Sequence, residues 1–181
     1  MSQAESNNPV LRVDKLSVDF RLTGRTLHAV KQVSLELRKG ETVALVGESG
    51  SGKSVTANAI MRLLPQVASI ASGEVIYGGE DLLKLDESRM NSIRGNGISM
   101  IFQEPMTALN PLHTVERQIS ETLILHRGLS KKAARAEVLS LLGKVQIRNP
   151  ERRLNAYPHE LSGGQRQRVM IAMALANQPS V

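Results

Sequence analysis

Thr42-Val43-Ala44-Leu45-Val46-Gly47-Glu48-Ser49-Gly50-Ser51-Gly52-Lys53-Ser54 is the stretch that decides how this 181-residue chain folds. Its first five residues form a continuous apolar, β-rich run, the pattern of a strand buried on both faces. Its last eight fit G-x-x-x-x-G-K-[ST], a match that average residue frequencies produce by chance in about 1 in 200 chains of this length. After the loop the period changes. Val55, Ala59, Ile60, Leu63 and Leu64 are spaced for one face of a helix, which Pro65 is expected to stop. Strand, glycine loop and helix in this order are the setting in which such a loop cradles phosphate. Glycines 47, 50 and 52 let the backbone curl with its N–H groups inward, at the positive end of the following helix. Lys53 supplies a mobile positive charge for β- and γ-phosphates, and Ser54 offers a hydroxyl to Mg²⁺.

Upstream of this unit the chain alternates. Val10, Arg12 and Asp14, then Leu16, Val18 and Phe20, predict a strand that the turn-like Thr23-Gly24-Arg25 breaks. Val33, Leu35 and Leu37 alternate with Ser34, Glu36 and Arg38, and Lys39-Gly40-Glu41 reads as a tight turn. Downstream, 72–76 and 98–102 predict further strands. Helices are predicted over 114–127, over 131–145 and from about Gly164 to Ala176. Strands therefore dominate early and helices late.

Composition narrows the class. A 41% hydrophobic share with 22% charged residues excludes general disorder and reads as ordinary soluble protein. The longest apolar run near the end, Val169 to Ala176, is far short of the ~20 residues a membrane-spanning helix needs. Residues 1–9 are polar and lack the apolar core of a signal peptide. The chain has no cysteine, which excludes disulfides and thiolate chemistry. Residues 1–110 carry 12 Lys/Arg and 12 Asp/Glu, whereas residues 111–181 carry 11 Lys/Arg and 5 Glu. The arginines of this basic half (Arg117, Arg127, Arg135, Arg148, Arg152, Arg153) read first as a solvated helical surface and second as a face near anionic lipid. Nucleic acid is not an expected partner. Phe20, Tyr77, Phe102 and Tyr157 are the only aromatics, too few for a base-stacking surface. His28, His113, His126 and His159 are scattered without acidic clusters and predict no metal site.

A second motif, Leu161-Ser162-Gly163-Gly164-Gln165, opens the last helix. Ser162 can cap that helix or hydrogen-bond a phosphate, because a helix N-terminus favours both. Together with the glycine loop ~110 residues upstream, it makes the chain resemble the nucleotide-binding domain of ATP-binding cassette (ABC) transporters over residues 10–181. Gly47 to Ser54 matches the family's Walker A loop, Leu161 to Gln165 its signature, and Gln103 in Ile101-Phe102-Gln103-Glu104-Pro105 its Q-loop. Phe102 to Pro111 and Tyr157-Pro158-His159-Glu160 are similar to the dipeptide and oligopeptide importer branch. Arg94-Gly95-Asn96 with Asn110-Pro111-Leu112-His113 is most similar to the microcin C-type importers.

The resemblance implies an α/β fold of the P-loop NTPase class. It would combine an antiparallel β subdomain and the Walker A core over 10–103, a helical subdomain over 104–164 and a signature helix over 165–181. It implies ATP and Mg²⁺ as ligands. Gly47, Glu48, Ser49, Gly50, Ser51, Gly52, Lys53 and Ser54 would hold the nucleotide. Ser54 and Gln103 would serve Mg²⁺, with Gln103 also sensing the attacking water. Ser162, Gly163, Gly164 and Gln165 would meet the nucleotide of a partner domain packed head to tail. Phe20 would stack on adenine, with His28 as rival and a plain core role for Phe20 left open. The implied function is ATP-driven import of peptides or peptide-like solutes. Its partners would be two membrane permease subunits and a solute-binding protein, at the cytoplasmic side of the inner membrane. The alternative, a soluble ABC ATPase of DNA repair or translation, would carry long inserts between Q-loop and signature. Here that interval is a compact ~57 residues. The family's Walker B carboxylates have no counterpart, since no aspartate follows Asp86. The chain is thus expected to hold the first two-thirds of one such domain, to be inactive by itself, and to leave Thr42–Val46 as an open hydrophobic edge.

Overall fold

The computed structural model describes residues 8–103 and 108–181; residues 1–7 and 104–107, the latter inside the importer-type motif, lie outside the described residues. The chain divides into two compact units. One runs to Asn91 and includes Ser180–Val181; the other is Ser92–Pro179.

The first unit is built on β1 (Leu11–Leu22), β2 (Arg25–Leu37), β3 (Ala68–Tyr77) and the short β4 (Glu80–Asp81). They form one antiparallel sheet in the order β2-β1-β3-β4. The break at Thr23-Gly24 falls where the sequence places it. The alternation in β1 has a different phase from the expected one. Leu11 and Val13 are buried, and then Leu16 and Val18. An odd-numbered face becomes even-numbered because β1 holds an extra residue at Lys15, whose φ is 46°. A bulge of this kind keeps apolar residues inside across a register slip. Each neighbour compensates one or two pairs later. β2 gains one residue around Gln32, φ 48°, and a further one at Ala29, and β3 gains one at Ala71. Side-chain hydroxyls satisfy the backbone groups the bulge displaces. Lys15 N–H donates to Ser34 Oγ at 2.9 Å, and Gln32 N–H donates to Ser17 Oγ at 3.1 Å. Gly73, at φ 105°, crosses this row. A Cβ there would lie 2.5 Å from Leu16 Cα, so only glycine fits.

α1 (Lys53–Ile60) packs on β1 and β2 and buries Thr56, Ala59 and Ile60. It ends earlier than Pro65. Arg62 takes a left-handed φ of 52°, Arg62 N–H donates to Ala59 O at 3.0 Å, and Leu63 N–H donates to Asn58 O at 2.8 Å. That pair of bonds is a Schellman closure. The Arg62 guanidinium, 2.6 Å from Leu85 O, anchors the turn.

Two expected strands do not form. Thr42–Val46 is an unpaired stretch with Val46 92% exposed. A strand buried on both faces needs a ladder on each side, and no described segment pairs with it. In 98–102 only Ile98 bridges, locally to Arg94, while Ile101 and Phe102 are exposed. Apolar content predicted a strand in both segments, but a strand forms only where a neighbour supplies the ladder.

The second unit is helical, with α2 (Glu87–Ile93) spanning the division. α3 (Val115–Arg127) starts at Thr114, whose side chain accepts from Arg117 N–H. α4 (Lys131–Lys144) starts at Ser130, which accepts from Ala133 N–H. These are N-caps, and Gly128 closes α3 in a left-handed conformation. α5 (Pro150–Arg153) and a 3₁₀ turn (Pro158–Glu160) lead to α6 (Gly163–Leu175). Ile119 and Leu123 of α3, Val138 and Leu142 of α4, and Val169 and Ala172 of α6 share one core with Leu154 and Leu161. Among the described residues no helix is long and apolar enough to cross a membrane.

Candidate functional site

The glycine loop lies in the first unit, at the start of α1. The Lys53 side chain folds back into it. Its Nζ donates to Gly47 O at 2.8 Å, Glu48 O at 2.7 Å and Ser51 Oγ at 3.0 Å. The positive charge is therefore held at the centre of its own loop. Gly52 is the N-cap residue, at φ 91°, and no side chain caps the helix. The first N–H groups of α1 have no intrahelical acceptor, as in any first turn, so the positive end of the helix is open to an anion. Gly52 also sets the loop against the sheet. A Cβ there would lie 2.6 Å from Ala29 O of β2. Thr56 closes the turn, its N–H and Oγ1 both donating to Gly52 O at 2.8 and 3.0 Å. Ser54 is exposed at the second position of α1, and Glu48, Ser49 and Gly50 line the exposed rim.

These residues fit a nucleotide polyphosphate. One cation is centred among inward-facing groups, a helix N-terminus lacks a side-chain cap, and a hydroxyl suits Mg²⁺. The adenine candidates lie on the same sheet. Phe20 is half-buried near the end of β1, paired with Leu27 and Ala68. His28, on β2, is exposed and its Nδ1 lies 2.7 Å from Asp19 Oδ1.

The second motif opens α6 in the other unit. Ser162 Oγ accepts from Gln165 N–H at 3.3 Å, and Gln165 Oε1 accepts from Ser162 N–H at 3.0 Å. This capping box answers which of the two Ser162 roles the fold uses, without excluding the other. The hydroxyl hydrogen of Ser162 and the Nε2 of Gln165 still point to no partner within the box. Gly163 and Gly164 are exposed, with open space where a Cβ would stand. Just upstream, the Tyr157 N–H donates to Glu160 Oε2 at 2.7 Å. Arg166 Nε reaches back to Pro158 O at 2.7 Å and fastens that turn to α6. The sequence reading missed Arg166, because only the carbonyl it meets reveals its role. Gln103 is exposed in the unpaired stretch before residues 104–107.

A glycine loop with its lysine folded inside, opening a helix that packs on a sheet, defines the chain as a P-loop protein. The profile of the ABC transporter family matches residues 30–181, and the chain belongs to that family. It is 60% identical over 177 residues to the peptidoglycan transport ATP-binding protein YejF of Agrobacterium fabrum, covering 97% of this chain and 32% of that protein. It is 53% identical over 173 residues to the dipeptide transport ATP-binding protein DppD of Bacillus subtilis, covering 95% of this chain and 52% of that protein. The dimeric structure of MJ0796, a bacterial ABC transporter cassette, has a TM-score of 0.83 at 33% identity, covering 93% of this chain and 70% of that one. The chain spans about a third to a half of the length of these curated relatives.

Proposed function

We propose that this chain is the ATP-binding portion of a subunit that couples ATP hydrolysis to import of peptides or peptide-like solutes through a membrane permease. The observation that carries this reading is the Lys53 ammonium, held among three oxygens of its own loop at the uncapped start of α1. When the polyphosphate of ATP enters, Lys53 exchanges those oxygens for phosphate oxygens. The loop N–H groups and the α1 dipole hold the remaining charge. Ser54, with Gln103, would hold Mg²⁺, which supplies charge neutralisation between β- and γ-phosphates. Gln103 would orient the attacking water.

Ser162, Gly163 and Gln165 would receive the γ-phosphate of a nucleotide bound to a second, head-to-tail domain. The capping box leaves the Ser162 hydroxyl hydrogen and the Gln165 amide as donors for it. In this reading Phe20 stacks on adenine. Residues 10–103 form the β subdomain and Walker A core, 104–164 the helical subdomain, and 165–181 the signature helix. Two permease subunits and a solute-binding protein complete the assembly, with this chain at the cytoplasmic face of the membrane. The names of the relatives, which include dipeptide and oligopeptide transport proteins, support the solute class.

Titration of the intact protein with Mg·ATP, beside Lys53→Ala, tests the reading. Binding should be weakened in the variant while its fold, followed by circular dichroism, is kept. Equal affinity of the two proteins would overturn the assignment of the loop.

A further inference from the structure

α6 opens on two glycines. Gly163 and Gly164 carry no side chain, and open space stands where a Cβ would be, so no packing holds the first turn on its outer side. Glycine also leaves the backbone of a helix more freedom than other residues do. Ser162, which precedes them, is exposed. Its placement therefore depends on the chain that enters the helix, residues 154–161.

That entry is fastened at both ends. At the front, α3 holds it. Val115 N–H donates to Ala156 O at 3.0 Å, and Glu116 N–H donates to Leu154 O at 2.9 Å. In the middle, Tyr157 to Glu160 closes on itself. Glu160 N–H donates to Tyr157 O at 3.0 Å, and Tyr157 N–H donates to Glu160 Oε2 at 2.7 Å. At the rear, Arg166 holds it. Its Nε donates to Pro158 O at 2.7 Å, and its backbone N–H donates to Ser162 O at 2.9 Å. The Nε donor belongs to a cation, which makes that hydrogen bond stronger than a neutral one. Pro158 O also accepts from Leu161 N–H at 3.2 Å, and Leu161 is buried in the helical core. One residue, just past the glycines, thus grips both the turn before the signature and Ser162 itself.

The geometry points to Arg166 as a positioning residue for Ser162: by tying the Pro158 carbonyl to α6, its Nε fixes the angle at which the chain enters the helix, and with it where the Ser162 hydroxyl and the Gln165 amide stand. This inference rests on the ATPase reading above, in which those two groups receive the γ-phosphate of a partner's nucleotide. Arg166 acts through the backbone it holds, and the donor at the Nε position is what the task requires.

Two near-isosteric variants of the intact protein separate that donor from the rest of the side chain. Arg166→Gln places a neutral amide nitrogen the same number of bonds from Cα as Nε, and removes the charge and both Nη groups. Arg166→Met has a methyl at that point and no donor. Steady-state ATP hydrolysis, Mg·ATP affinity and melting temperature are measured for both. A small displacement of a group that meets the reacting phosphate lowers turnover steeply. In Arg166→Met, kcat should therefore fall on the order of 10- to 100-fold while ATP affinity stays within about twofold. Arg166→Gln should recover most of that loss. Amide exchange over residues 163–166 should speed up in Arg166→Met, return towards wild type in Arg166→Gln, and stay unchanged over Lys53–Ile60. A purely structural role would lower the melting temperature of Arg166→Met and leave its kcat at the wild-type value, which overturns the inference. Equal loss of kcat in both variants would assign the effect to the charge or the Nη groups, and overturns it too. If Arg166→Met does not fold, Arg166→Lys takes its place, since it keeps the charge and puts a methylene where Nε stood. Wild-type protein that hydrolyses no ATP, or hydrolysis that survives Ser162→Arg, overturns the parent reading and this one with it.

Discussion

Lys53 and Gly52 are adjacent, yet the two residues answer to different constraints. Lys53 makes three hydrogen bonds within the loop, all replaceable by phosphate oxygens. Lys53→Ala removes the charge and should weaken Mg·ATP binding by about 1.5–3 kcal/mol, roughly 10- to 150-fold, read by calorimetric titration. Its effect on folding should be small, because the site is open to solvent. Gly52→Ala should act in the opposite proportion. The new methyl would lie 2.6 Å from Ala29 O at a φ of 91°. Strain of this kind costs about 1–3 kcal/mol, so the melting temperature falls along with ATP affinity. A Gly52→Ala protein with unchanged stability would show that α1 can shift away from β2. The glycine-lysine pattern was legible residue by residue, since a phosphate loop is local and its chemistry dictates each side chain. Arg166 carried no such signal, because its partner is a backbone carbonyl that only the fold brings to it.

Helix ends and short hairpins follow the same local logic. Ser162 caps α6 through Gln165. Ser162→Ala should cost about 1 kcal/mol of stability, seen in chemical denaturation. Ser162→Arg in the intact protein should abolish ATP hydrolysis yet spare ATP binding, since the bulky cation would block an anion site serving a partner's nucleotide. Equal loss of both would point to misfolding.

At the β3–β4 hairpin, burial pushes the Asp81 carboxyl up. Hydrogen bonds from Lys84 and from the Leu83 and Val75 N–H groups outweigh that and hold it below its ordinary 3.8. A carboxylate with a depressed folded-state pKa stabilises the fold above its unfolded pKa, and that stability is lost as pH falls through the folded value. Thermal melts of the wild type should therefore weaken below about pH 4, and Asp81→Asn should flatten that acid limb. An identical acid limb in the variant would remove Asp81 from the account.

Apolar spacing made α3, α4 and α6 readable to within a residue or two. The β1 face was misphased because a bulge at Lys15 reverses the parity of the pattern, and parity carries no mark of an inserted residue. Thr42–Val46 forms no strand for a different reason: apolar content is local, while a ladder needs a neighbour from elsewhere.

On the scale of the whole molecule, the two halves solve folding differently. Residues up to Asn91 rest on a sheet with long-range pairing, and Ser92–Pro179 on helices with short connections and one shared core. Among the described residues of the first unit, Val43, Leu45 and Val46 leave apolar side chains in water beside unpaired backbone. Such an edge templates association with other chains. Val46→Lys should raise the concentration at which this chain begins to aggregate, followed by light scattering, and leave circular dichroism unchanged. Scattering that begins at the same concentration in both proteins would place the sticky surface elsewhere. The family was legible from two short motifs that together contain only about a dozen residues.

The row of compensating bulges binds distant codons together. The surplus residue at Lys15 is matched by one near Gln32 and another at Ala71, and Gly73 alone can pass beside it. Loss of Lys15 by itself would leave two strands corrected for a fault that no longer exists, with their inner and outer faces exchanged beyond that point. A lineage can therefore shorten or lengthen this sheet only by several coordinated changes at once. Single-codon deletions here should be purged from descendants, while the Thr23-Gly24 turn, which has no counterpart to match, is free to drift in length.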